Sequence, residues 1–171
     1  MLLKNSQRKK LIEVIKFLLI FNILAIPMYA VLYYNITYEP LQNFIAFITT
    51  KFLQSVGIDA LQQNFLITLL ANNQLLKIEI SFDSTGWKTL YALFALTIAT
   101  PKRKMKDKLK FLAVGLPLLF AMNLLRIFTT ILIAADFGFQ YFDVVHLFLW
   151  REGLITAVLI VWYVWLRQKI K

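Results

Sequence analysis

Four apolar runs set the limits on what this chain can become. Leu11 to Tyr34 is apolar except for Glu13, Lys16 and Asn22, and Phe111 to Ala135 has only Asn123 and Arg126 as strongly polar interruptions. Leu147 to Leu166 carries Arg151 and Glu152 near its start. Trp87 to Thr100 is shorter, with Lys88 at one end and Pro101 at the other. About 20 apolar residues in a helix cross a bilayer, and a helix is favoured there because it satisfies its own backbone. With 60% of residues hydrophobic, a soluble domain would expose far too much apolar surface. The first run is about twice the length of a signal-peptide core and is closed by no small-x-small cleavage site, so it reads as a retained span. The expectation is a single all-α integral membrane domain over residues 1–171, with spans near 11–34, 86–100, 111–135 and 147–166.

Charge gives the orientation. The formal net charge of +10 could suggest nucleic acid, but the basic residues cluster beside apolar runs, as topology determinants do. The two tails and the 101–110 loop hold thirteen basic residues and one acid, Asp107. The opposite side holds Lys51 and Lys77 against Glu39, Asp59, Glu79, Asp83, Asp136 and Asp143. Four spans with both termini cytoplasmic follow, with residues 35–85 outside and no nucleic-acid partner. The chain has no cysteine and one histidine, which excludes disulfides, thiolate metal sites and multi-histidine metal sites.

The outer segment has its own pattern. Pro40 suits a first helical turn, and Leu41, Phe44, Ile45, Ile48, Phe52 and Val56 recur at helical spacing until Gly57. Gln42, Asn43, Thr49, Lys51 and Gln54 form its polar face, so the spacing predicts an amphipathic helix along the membrane surface. Phe65–Leu70 and Leu75–Ser81 flank a turn-like Ala-Asn-Asn-Gln, and Leu76, Ile78 and Ile80 alternate with Lys77, Glu79 and Ser81. That predicts a β-hairpin whose exit strand delivers the chain to Asp83-Ser84-Thr85-Gly86.

Helical rise of about 1.5 Å per residue then places several polar residues at one depth. Ser84 and Gly86 lie roughly 22 Å or more above the inner edge of the second span, and Arg126 roughly 22 Å up the third. Arg151 and Glu152 lie roughly 22–24 Å up the fourth, with His146 about 30 Å up. All fall in the outer third of a hydrocarbon core of about 30 Å. A buried cation needs a partner or a purpose: Asn123 shares a helix face with Arg126, and Asp83 or Glu152 could pair with it structurally. His146 could equally be an interfacial residue, and Arg151 with Glu152 an ion pair. Trp87, Trp150, Trp162, Tyr163 and Trp165 read as anchors or packing.

Asp83-Ser84-Thr85-Gly86, Asn123-x-x-Arg126 and His146, each at the outer part of successive spans, together resemble the exosortase/archaeosortase family over about residues 80–155. The resemblance implies a membrane-embedded cysteine transpeptidase without metal or organic cofactor. Its substrates would be proteins ending in a short motif, a transmembrane helix and a basic tail. Residue 84 would attack a carbonyl near the substrate's C-terminus, His146 would act as general acid and then base, and Arg126 would stabilise the oxyanion or thiolate. Asn123 would position Arg126; Asp83, Thr85 and Gly86 would support the site, and Arg151 and Glu152 would line it. An amine or a membrane lipid would resolve the thioester. Ser84 stands where the family has its cysteine, and a hydroxyl is a far poorer nucleophile near neutral pH, so an inactivated Cys-to-Ser variant is the favoured reading, beside a natural serine variant and a natural inactive relative. A membrane serine hydrolase using Ser84 and His146, and a non-enzymatic membrane subunit, are the alternatives.

Overall fold

The computed structural model describes residues 5–71, 74–137 and 152–168. Helix α1 spans Asn5–Tyr33 and α2 spans Glu39–Ser55. A small antiparallel sheet follows, β1 (Ala60–Gln63), β2 (Leu66–Ala71) and β3 (Gln74–Glu79), in the order β1-β2-β3. A 3-10 turn over Phe82–Thr85 leads into α3 (Trp87–Ala99), then α4 (Met105–Phe137) and α5 (Glu152–Arg167). The Ser6–Tyr33 and Met105–Ala135 helices are long and apolar enough to cross a bilayer; Trp87–Ala99 and Gly153–Arg167 are shorter apolar helices. Ile23 and Ile26 of α1 are 62% and 63% exposed among the described residues, an apolar surface suited to lipid.

Two apolar cores divide the molecule. The inner one joins Leu93 of α3, Leu112 and Leu119 of α4, and Val158 of α5. Gly115 makes the α3–α4 approach possible, since a Cβ there would come within 2.9 Å of Leu93 Cδ2. The outer core joins Ile45 and Leu53 of α2, Ile67 and Leu69 of β2, Ile78 of β3 with Ile80 just beyond it, and Ile127 and Ile131 of α4. Helix α4 therefore serves both cores: its first half packs the helical bundle, and its second half carries α2 and the sheet.

Several sequence expectations change in detail. Helix α2 forms where expected, with proline in its first turn and Gly57 at φ +85° beyond its end. Its polar residues, however, do not all face solvent. Gln42 and Thr49 are buried, while Phe44 and Phe52 are about half exposed; Phe44 stacks on Phe120 of α4 and Phe52 meets Phe128 edge to face. The reason is hydrogen bonding: Gln42 donates to the Ile80 carbonyl at 2.9 Å and Gln54 to the Ala60 carbonyl at 2.8 Å, so polar side chains of α2 fix the sheet. The predicted hairpin is β2–β3, and β1 is an additional strand, reached through Asn64 at φ +55°. Leu76, Ile78 and Ile80 are buried and Lys77 and Glu79 exposed, as the alternation predicts. Helix α4 begins at Met105, so half of the basic 101–110 stretch is helical rather than loop.

That basic stretch also ties the helix ends together. The Arg103 guanidinium donates to the carbonyls of Trp165, Leu166 and Gln168 at 3.0, 3.0 and 2.5 Å. It also stacks 5.0 Å from the Trp165 ring centroid. Lys108 donates to the Ile98 carbonyl at 2.6 Å, and Lys102 pairs with Glu13 of α1 at 2.7 Å. Helix C-termini leave carbonyls without intrahelical donors, and these cations supply what α3 and α5 lack. Trp162 donates to Thr100 Oγ1 at 3.0 Å and Trp165 stacks on Phe111, so both indoles pack inside the protein.

Candidate active site

The site forms where β3 leaves the sheet. Ile80 N–H still bonds the Phe65 carbonyl at 2.9 Å, and Ser81 remains extended at φ −65° and ψ 156°. Ser81 then caps the 3-10 turn: its Oγ accepts the Ser84 N–H at 3.2 Å, and its carbonyl accepts the same N–H at 3.0 Å. Serine is favoured at such a cap because a short hydroxyl reaches the free N–H groups of the first turn. Thr85 Oγ1 donates to the Phe82 carbonyl at 2.7 Å, and Gly86 at φ +79° redirects the chain into α3.

Helix α4 closes this turn from behind. Asn123 Nδ2 and an Arg126 terminal nitrogen both donate to the Ser84 carbonyl, at 3.1 and 3.0 Å. The two donors are 1% and 7% exposed. Gly86 completes the fit, because a Cβ there would lie 2.7 Å from Asn123 Cγ. Asn123 and Arg126 are three residues apart and so project from one face of α4. Asn123 shares the acceptor with Arg126; it does not itself bond the guanidinium. The Arg126 carbonyl accepts the Thr129 and Thr130 hydroxyls at 3.0 and 2.8 Å.

One donor and one acceptor are left over by this arrangement. Arg126 Nε and Asn123 Oδ1 are buried and have no hydrogen-bond partner among the described residues. A buried cation is costly without a counter-charge, and none pairs with Arg126 among the described residues, so its Nε keeps a hydrogen-bonding capacity that a polar or anionic group could use. Of the two structural partners expected for Arg126, the pair with Asp83 does not form, and the side chain of Glu152 lies outside the described residues. Asp83 is exposed and pairs with Lys88 at 2.8 Å.

Ser84 is half-buried, and its Oγ lies 2.8 Å from Ser81 Oγ. Ser81 Oγ accepts the Ser84 N–H, so its own proton can be given to Ser84 Oγ, leaving the Ser84 proton free to point elsewhere. Sequence reasoning assigned Ser81 no role, although its position three residues before Ser84 is a capping signal. A cleft of about 290 Å³ opens beside the turn, lined by Asn35 and Thr37 of the α1–α2 connection and by Ser81, Phe82, Asp83 and Trp87. Phe82 stacks on Trp87 at 5.2 Å and forms part of its wall. No three His, Cys, Asp or Glu side chains gather as a metal site would need, among the described residues. His146 and Arg151, and the side chain of Glu152, lie outside the described residues. The described part of the site is thus Ser84 with Asp83, Thr85, Gly86, Asn123 and Arg126.

Residues 7–163 match the family model described as Transmembrane exosortase. The chain belongs to the transmembrane exosortase family. The match takes in nearly the whole chain, including the turn at Ser84, the α4 pair and His146. No curated protein and no solved structure matches it. Exosortase membership and the apolar helices together make this a membrane protein with a transpeptidase-like role in general.

Proposed function

We propose that this exosortase-family chain is a protein-sorting transpeptidase acting on surface proteins that end in a short motif, a transmembrane helix and a basic tail. Residue 84 is the nucleophile position. Its side chain attacks the carbonyl of the scissile bond, an acyl bond to residue 84 forms, and the C–N bond breaks as His146 protonates the leaving amine. An amine or a lipid head group then gives its proton to His146 and attacks the acyl carbon; the bond to residue 84 breaks, the proton returns from His146 to the side chain of residue 84, and the substrate is left on its anchor. Arg126 has one terminal nitrogen on the Ser84 main chain and directs remaining N–H groups to the oxyanion, where a fixed charge in a water-poor site is worth most. Asp83, Thr85, Gly86 and Asn123 shape the turn, and Arg151 and Glu152 line the substrate path. With serine at 84 the chain binds substrate with little or no turnover, because a hydroxyl near neutral pH lacks the thiolate's reactivity.

The observation that supports this reading most is the convergence of two buried α4 donors on the carbonyl of residue 84. The test is co-expression of tripartite tails from the source genome with this chain, its Ser84→Cys form, and that form carrying His146→Ala or Arg126→Ala. Cleavage by the Ser84→Cys form alone, lost in both double variants, is the expected result by mass spectrometry. Cleavage by the chain as written would point to a serine enzyme instead. If neither form cleaves any tail, the non-enzymatic reading takes over.

A further inference from the structure

The mechanism above gives the sheet no part beyond delivering the turn. Its outer strand has capacity left over. In the order β1-β2-β3, β3 is an edge. Ile80 N–H bonds Phe65, and Ile78 and Leu76 stand opposite Ile67 and Leu69. Main-chain groups alternate sides along an antiparallel strand, so those of Leu75, Lys77 and Glu79 point away from β2. No hydrogen bond takes them among the described residues. This free edge continues in extended conformation to Ser81, three residues short of Ser84.

We propose that the β3 edge is the docking rail for the substrate: the segment ahead of the scissile bond adds to it as a further strand. The inference rests on the sorting-transpeptidase reading and names where that enzyme holds its peptide. The exposed groups are alternating donors and acceptors at strand spacing, which an extended peptide matches and a lipid head group does not. From Leu75 to Glu79 the edge covers roughly 13 Å at about 3.3 Å per residue, enough for a short recognition motif. Main-chain bonds along the edge supply affinity, and alternate substrate side chains meet the exposed Lys77 and Glu79 for selection. Beyond the rail, the cleft beside Ser81, Phe82 and Asp83 receives the residues nearest the bond to be cut.

Proline tests the rail directly, because at 77 or 79 it removes an outward N–H and leaves the ladder to β2 intact. In the Ser84→Cys background, Lys77→Pro and Glu79→Pro are compared with Lys77→Ala and Glu79→Ala on a tail that the parent cleaves. The proline variants should lose roughly tenfold more kcat/KM than the matching alanine variants, mostly through KM. A second arm leaves the enzyme unaltered. Synthetic peptides copying the ten residues ahead of that tail's helix, N-methylated at one amide each, are used as competitors. Inhibition should fall at alternate positions. If the parent cleaves but proline and alanine variants match, and the methylated peptides inhibit alike, the rail is overturned and Lys77 merely guards the edge. The sorting reading would survive that result, whereas failure of the parent to cleave any tail overturns both.

Discussion

At the scale of single residues, Gly86 and Asn123 are two halves of one requirement. Gly86 sits at φ +79°, and a Cβ on it would meet Asn123 Cγ at 2.7 Å. Gly86→Ala should therefore cost about 1–3 kcal/mol from backbone strain, with a steric contribution added. Asn123→Ala in the same chain should remove the steric part and leave the strain. A double-mutant cycle of unfolding in detergent would show this as coupling of about 1 kcal/mol, and strict additivity would rule the contact out as the cause. Ser81 makes a second prediction, and the absence of cysteine makes it clean, because Ser84→Cys creates a single thiol. A hydroxyl donating to a thiolate favours the charged form. In that background Ser81→Ala should move the pH profile of iodoacetamide alkylation upward, while Ser81→Thr, which keeps the hydroxyl, should restore it. The charged groups around this position, Asp83, Lys88 and Arg126, are the same in all three variants, so an unshifted profile would deny Ser81 any role at residue 84.

At the scale of elements, the order of the chain was more legible than the faces. Alternation identified β3 and its delivery of Ser84, since Leu76, Ile78 and Ile80 report a half-buried strand without reference to anything else. Helical rise put Ser84 and Arg126 at one depth, because depth along a span depends only on residue count, and helical spacing put Asn123 on the face of Arg126. The orientation of α2 was not legible. Hydrophobicity marks Gln42 and Thr49 as solvent-facing, whereas the Ile80 carbonyl, a partner distant in sequence, draws Gln42 inward. Strand β1 was hidden for a similar reason: Ala60-Leu61-Gln62-Gln63 has little alternation and pairs because β2 lies beside it. If Gln42 holds the exit of β3, Gln42→Leu should cost about 1–3 kcal/mol by leaving that carbonyl unpaired. Hydrogen exchange should rise across residues 78–84 and stay unchanged in the inner half of α4. Arg103 is the counterpart at the other end of the bundle. Arg103→Lys should recover little of the loss seen in Arg103→Ala, because an ammonium cannot both fork across several carbonyls and stack on Trp165. Equal stability of the lysine variant and the parent would assign the effect to charge alone.

At the scale of the whole molecule, the unequal lengths of α3 and α4 decide where the site can sit. Thirteen residues of α3 rise about 20 Å, less than the roughly 30 Å of a hydrocarbon core, while the 33 residues of α4 rise about 50 Å. The short connection between them starts both helices at the same level. In the four-span arrangement Ser84 would stand some 10 Å below the far edge of the core, with α2 and the sheet packed against the remaining second half of α4. The half-exposed phenylalanines of α2 suit that placement, since they would meet lipid rather than water. With the basic residues gathered at 102–110 and in both tails, we propose four crossings with the sheet and the site outside. The cysteine-free chain allows a direct test. Single cysteines replacing the exposed Asp59 and Gln63 should react with an impermeant maleimide in intact cells, and one replacing the exposed Lys106 only after permeabilisation. The reverse pattern would put Ser84 on the cytoplasmic side, where no exported tail could reach it, and the sorting function would fall with the topology.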